Sequence, residues 1–276
     1  MTRSFFIICS IFLPIALNAQ TYDIYALKFG ERKNYVRMED QAVGYSGGDS
    51  TKVFFMYWVL KNKDKIILVD AGFTADAGVD TNDIAFIQPD KLLASIDVKP
   101  EEVTDIIVTH PHWDHIGGID LYPNAMVWMQ EEDYNDLMAS RKDLENKGYN
   151  KKDVQKVRNC KVKGRLTLLK GLRDEVILPN VTVVIAGSKH TPGSQYVYAH
   201  NGKQNVIIAS DNCKYYLNIA SMLSSPATSD QKAYIRNLKN MKQAVMGNTD
   251  VVIPGHDPLV FTKFKTVAKD VVEIRK

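Results

Sequence analysis

Cysteine is scarce here. Three in 276 residues are too few for a disulfide scaffold. Charge of one sign is not in excess either. The 35 basic and 32 acidic side chains leave a formal net charge of +3, and no basic cluster supplies the footprint of a nucleic-acid binder. After the first twenty residues no apolar run is long enough to cross a bilayer, which excludes a multi-pass membrane protein. Internal repeats and low-complexity segments are absent. Hydrophobic residues at 45% and charged residues at 24% exclude a disordered chain and supply material for a full core.

The N-terminus reads as an address. Met1-Thr2-Arg3 gives a positive start, residues 5–17 are apolar except for Ser10 and Pro14, and Asn18-Ala19-Gln20 offers a small residue for cleavage. This is the pattern of a secretory signal peptide. Residues 1–19 are expected to be removed on export to the periplasm or the exterior, leaving 20–276 as the folded domain with no stable membrane span. Cys9 leaves with the leader. Cys160 and Cys213 could pair in an exported protein, if their geometry allows it.

Past the leader, strands alternate with short helices. Residues 22–29 and 53–60 read as strands, and the second is followed by a Lys61-Asn62-Lys63-Asp64 turn and a returning strand at 66–70. Prolines 89 and 100 open short helices ending near Ile96 and Val103. Residues 106–109 and 125–129 are further strands. Residues 131–158 are charged, helical in pattern and poor in β-branched types, which predicts a helical insertion. Strands resume at 166–169, 181–186, 195–199 and 205–209, the last two joined by an Asn201-Gly202 turn. Ser229 can cap a helix whose buried stripe is Tyr234, Leu238, Met241 and Val245. A strand at 251–254 precedes His256, and a helix is expected to close the chain. Strand-rich halves with helices outside predict an α/β architecture, a sheet-on-sheet core covered by helices.

The chemistry is concentrated in Thr109-His110-Pro111-His112-Trp113-Asp114-His115, directly after a short apolar strand. A loop can aim alternate side chains to one side, so His110 and His112 can share one ion while Asp114 and His115 turn toward a second. Imidazole with carboxylate suits zinc, and also manganese, iron or cobalt. Gly117-Gly118 permits close backbone packing beneath. Of the three remaining histidines, His190 and His256 follow strands in Gly- and Pro-containing loops, while His200 beside the Asn-Gly turn reads as an ordinary surface residue. Asp211 ends the apolar run 207–209 with Ser210 between, where a carboxylate can bridge two ions.

Together these residues resemble the metallo-β-lactamase superfamily. The HxHxDH run stands as His110-His112-Asp114-His115, the later single histidine as His190, the bridging aspartate as Asp211 and the last histidine as His256. The resemblance runs from about Val53 to His256. It implies an αββα sandwich of two mixed sheets, with two zinc ions at one edge. His110, His112 and His190 would hold the first metal, Asp114, His115 and His256 the second, with Asp211 between. Asp70 would support the site from behind. Such a pair can hold a bridging hydroxide at neutral pH as the nucleophile, with Asp114 shuttling its proton to the leaving group.

Within the superfamily the sequence is most similar to the N-acyl homoserine lactonases, which open the ring of bacterial quorum-sensing signals. The retained Asp211, the Pro254-Gly255-His256-Asp257-Pro258 ending and the insertion after Met129 carry this. The implied partner is a small acylated lactone, and a homodimer is consistent with the resemblance. Two departures stand out. Many such lactonases are cytoplasmic. The substrate-binding tyrosine expected shortly after Asp211 falls one or two places late, at Tyr215, with Tyr216 as the substitute. Phe54, Met56, Trp58, Phe73, Trp113, Met138 and Met222 are candidates for an apolar wall against an acyl chain. Other hydrolases of the fold, such as β-lactamases, esterases and glyoxalase II-like thioesterases, are the alternative.

Overall fold

The run Phe-Phe-Met-Tyr-Trp-Val-Leu at residues 54–60 is apolar in every position because the strand it forms, Phe54–Lys61, is covered on both faces. Met56, Trp58 and Leu60 point into one core, while Phe55, Tyr57 and Val59 point into the other. Period-two alternation is thus hidden by double burial. The computed structural model in which this is seen describes residues 21–139, 143–171, 174–202 and 204–275, so the expected leader lies outside the described residues.

Phe54–Lys61 is central to a nine-stranded mixed sheet. Its order is Lys265–Ala268, Val271–Arg275, Asp23–Arg32, Phe54–Lys61, Ile66–Val69, Asp105–Ile107, Met126–Gln130 and Leu166–Leu169, with Ile84–Phe86 also paired to Asp23–Arg32. The last four of that order run parallel. A second, five-stranded sheet runs Glu175–Leu178, Val181–Ile185, Gln195–Asn201, Gln204–Ser210 and Val252–Pro254, and its last pair is parallel. The inner core between the sheets joins Trp58, Val69 and Ile107 to Val183, Val197 and Ile208. The outer face of the larger sheet carries Leu92, Leu93, Ile116, Leu137, Val154 and Val157 from the covering helices. The Gln231–Ala244 helix packs on the smaller sheet through Tyr234, Leu238 and Met241, with Val245 just beyond its end, which is the expected stripe. This is the αββα sandwich. Among the described residues no helix is long and apolar enough to cross a membrane.

Two expectations need correction. The chain does not close on a helix. Past a single turn at Val260–Lys263 it ends in the hairpin Lys265–Ala268 and Val271–Arg275, which extends the large sheet beside Asp23–Arg32. Asp270 turns that hairpin in the left-handed region (φ 62°), and its carboxylate pairs with Lys28 at 2.9 Å. The cap of the Gln231–Ala244 helix is Asp230, whose side chain accepts from the Ala233 N–H, while Ser229 faces the Lys189 carbonyl. The segment 131–158 carries the helices Glu131–Ala139 and Lys151–Val162 and packs on the large sheet. Leu137, Tyr149, Val154, Val157 and Cys160 belong to the outer core. Cys160 and Cys213 are both buried free thiols.

Candidate metal centre

Five loops leave the same edge of the sandwich, each at the end of a strand, and each delivers part of one cluster. Asp70 follows Ile66–Val69, His110 to His115 follow Asp105–Ile107, His190 follows Val181–Ile185, Asp211 follows Gln204–Ser210, and His256 follows Val252–Pro254. Strand ends converge because the parallel strands of both sheets point the same way. Close approach requires glycine at two points. A Cβ on Gly118 would collide with the Ala71 carbonyl, and one on Gly255 would meet Asp211 Oδ1 at 2.6 Å.

All seven residues singled out as ligands meet. His110, His112 and His190 form one group, Asp114, His115 and His256 another, and Asp211 lies with His110 and His115 between them, with the donor atoms of each group within 4.8 Å of one another. His256 Nε2 is 2.9 Å from Asp211 Oδ1, His190 Nε2 is 3.4 Å from Asp211 Oδ2, and His115 Nε2 is 3.4 Å from Asp114 Oδ2.

The backs of the imidazoles are tied down. His256 Nδ1 donates to the Phe54 carbonyl (2.8 Å), His190 Nδ1 to the Ala227 carbonyl (3.0 Å), His110 Nδ1 to the Thr109 hydroxyl (3.1 Å) and His115 Nδ1 to Asp70 Oδ2 (2.8 Å). These tautomers follow from the network and leave the four Nε2 atoms aimed inward. Asp70 is the hub behind them. It also accepts from the Thr109 N–H, the Thr109 hydroxyl and Ser210. Ser210 sits at φ 49°, a strained backbone that turns the strand so that Asp211 faces the cluster.

The donors suit a divalent cation. His110 and His190 present Nε2 atoms 3.1 Å apart, lone pair to lone pair when both rings are neutral. His115 Nε2 and Asp211 Oδ1 are buried with no hydrogen-bond partner among the described residues. Burial, reinforced by the neighbouring imidazoles, holds His110 far below the usual histidine range and His112 down to about 3, and burial also lowers His190. Burial would raise Asp211 and Asp114, but the histidines around them hold both carboxyls below their ordinary range. Neutral imidazoles beside ionised carboxylates are the protonation states metal ligands need. Burial opposes a charge on His115, yet Asp114 and Asp70 lift it well above the usual range, a proton that ion binding would displace.

Tyr215 and Tyr216 separate clearly. The Tyr216 hydroxyl donates to the Asp250 carbonyl at 3.1 Å, whereas the Tyr215 hydroxyl is buried without a partner among the described residues, and burial and then Asp211 raise its pKa. His200 stands away from the cluster, half-buried rather than a free surface residue, bonded to Thr182 (3.0 Å) and Asn205 (3.3 Å). Most of the expected apolar wall is core. Met56, Trp58 and Phe73 are buried, and Phe54 and Met222 pack on the inner core. Trp113 is partly exposed, against Phe55 and Phe73.

Asp133 was not foreseen. It comes from the first turn of Glu131–Ala139, is buried, and accepts from the Gly193 N–H (2.7 Å) and the Thr191 hydroxyl (3.0 Å), anchoring the loop that carries His190. In sequence it looks like any acid favoured at a helix start.

A sandwich that gathers five histidines and two aspartates at one edge defines a metal-dependent hydrolase by class. The sequence pattern of the metallo-β-lactamase superfamily matches residues 55–256, and the chain belongs to that superfamily. An N-acyl homoserine lactonase of Bacillus cereus is 24% identical over 166 residues, 60% of this chain and 60% of that protein. The exodeoxyribonuclease WalJ of Streptococcus pneumoniae serotype 2 (strain D39 / NCTC 7466) is 32% identical over 96 residues, 32% of this chain and 30% of that one. The chain therefore spans about three fifths or less of the length of these curated relatives. Among solved structures, an N-acyl homoserine lactone hydrolase holding N-hexanoyl-L-homoserine at its catalytic metal centre superposes with a TM-score of 0.68 at 17% identity, over 90% of this chain and 98% of that one. The dizinc quorum-quenching lactonase AidC gives 0.63 at 16%, over 87% and 92%. These likenesses establish the fold.

Proposed function

We propose that the protein is an exported dinuclear zinc lactonase that opens the ring of N-acyl homoserine lactones. The observation that carries the reading is the complete set of seven donors at the sandwich edge, in a chain whose curated relatives include lactonases. His110, His112 and His190 would hold one ion, Asp114, His115 and His256 the other, and Asp211 both. Bound there, such ions supply Lewis acidity and make water reactive at neutral pH.

The protein's own groups do the rest. Tyr215 donates its otherwise unpartnered hydroxyl to the substrate carbonyl oxygen, where negative charge develops as water adds to the acyl carbon. Asp114 accepts the proton shed by that water and delivers it to the ring oxygen as the carbon–oxygen bond breaks, giving the N-acyl homoserine. Asp70 holds His115 and the Thr109 backbone in register throughout.

The test is hydrolysis of a short-chain and a long-chain acyl-homoserine lactone by the zinc-loaded mature protein, with the β-lactam nitrocefin and an aryl ester alongside. Ring opening that a chelator abolishes and zinc restores supports the reading. Turnover of nitrocefin or the ester alone would assign a different hydrolase on the same centre.

A further inference from the structure

Four of the five cluster imidazoles are held from behind by a hydrogen bond, and His112 is the exception. Among the described residues its ring makes none. Its neighbours are other rings, His110 at 4.5 Å, His190 at 4.6 Å and Tyr149 at 6.0 Å between centroids. One side of it is open. His112 lines a cavity of about 470 Å³ together with Lys147, Tyr149, His190, Thr191 and Pro192. An imidazole with space beside it and no bond behind it can swing, and a ligand that swings binds its ion weakly.

What backs His112 is main chain. The turn Glu145–Lys147 ends at Gly148, which sits in the left-handed region (φ 69°). A Cβ there would stand 2.9 Å from His112 Cδ2 and 3.2 Å from its Nε2. The chain thus lies against that edge of the ring, at a distance only glycine allows. The turn is itself fixed on both sides. The Gly148 carbonyl accepts from the backbone N–H of Trp113 (3.0 Å), the residue after His112. The buried Tyr149 donates its hydroxyl to Asp136 Oδ2 (2.8 Å), and Lys147 Nζ reaches Asp136 Oδ1 (2.6 Å). Asp136 belongs to the helix Glu131–Ala139.

We infer that Gly148 is the positioning residue of His112, its backbone doing by packing what a hydrogen bond does for the other four rings; the inference rests on the two-ion reading above. An added Cβ would have to gain about half an ångström to reach ordinary contact at 3.4 Å. The imidazole is the softest neighbour, so the ring yields and the fold does not. Metal–ligand distances tolerate only about 0.2 Å.

The experiment counts bound zinc by elemental analysis and measures its affinity by chelator competition, in wild type, Gly148→Ala, Gly164→Ala and Asp136→Ala, with His112→Ala as the reference for a lost first-ion ligand. Gly164 has the same backbone conformation (φ 68°), but a Cβ there would meet nothing within 4 Å. The two glycine variants therefore share their backbone strain and differ in the His112 contact. Gly148→Ala should keep one ion at wild-type affinity and hold the other about 10–100-fold more weakly, in the pattern of His112→Ala. Asp136→Ala, which frees both anchors without touching the ring, should weaken the same ion several-fold, and Gly164→Ala should bind both ions as wild type does. Undiminished affinity for both ions in Gly148→Ala overturns the inference, as does an equal loss in Gly164→Ala. Should Gly148→Ala fail to fold, undiminished affinity in Asp136→Ala overturns it. If wild type itself holds fewer than two ions, the two-ion reading fails and the inference falls with it.

Discussion

Asp133 offers the sharpest test of the architecture, because its charge is costly and its hydrogen bonds are not. The carboxylate is buried, has no cation paired with it among the described residues, and accepts from Gly193 and Thr191. Burial pushes its pKa up to about 7, despite those two donors and with some help from Asp136 and Glu132. In the unfolded chain an aspartate titrates near 3.9. The folded state therefore binds this proton more tightly. The associated stability is complete below about pH 4 and is lost as the pH rises through about 7. A shift of about three units corresponds to about 4 kcal/mol. Asp133→Asn has the same shape, can accept from the Gly193 N–H through Oδ1 and can donate to the Thr191 oxygen through Nδ2, so it keeps both anchors and discards the charge. Urea denaturation of metal-free wild type and Asp133→Asn between pH 4.5 and 8.5 should show the variant gaining on the wild type by up to about 4 kcal/mol, with the gain levelling off above pH 7. Titrating histidines cancel in the difference. A difference that does not change with pH would refute the reasoning.

Other perturbations reach the centre itself. His190→Ala removes an inward-facing imidazole and should lower lactone hydrolysis by several powers of ten; full activity with undiminished bound zinc by elemental analysis would remove it from the ligand set. Asp70→Ala leaves the Thr109 N–H and hydroxyl, Ser210 and His115 Nδ1 without their shared acceptor, and should weaken zinc binding about 10–100-fold in a chelator competition. Tyr215→Phe discards a hydroxyl with no hydrogen-bond partner among the described residues, so thermal stability should hold while turnover falls by about 10²-fold or less. An unchanged rate, set against a damaged Tyr216→Phe, would move the role to Tyr216.

How much of this could be read from the residue order depends on how local each signal is. The seven candidate residues were legible because coordination chemistry restricts the residue types, and strand-end loops mark them: His110 to His115 lie together, while His190, Asp211 and His256 each follow an apolar run. The strand at 53–60 and the stripe from Tyr234 to Val245 were legible too, since residue type and periodicity are local signals. The closing hairpin was not. Lys265–Ala268 and Val271–Arg275 are strands because Asp23–Arg32 offers them an unpaired edge, which lies some 240 residues earlier in the chain. Nor was the burial of the candidate apolar wall legible. Whether Met56 and Trp58 face a pocket or the second sheet depends on what packs above them, and hydrophobicity alone does not distinguish the two. Asp133 makes the same point from the polar side. A carboxylate's role is set by the donors that surround it, and those donors, Gly193 and Thr191, are brought in only when the sandwich closes.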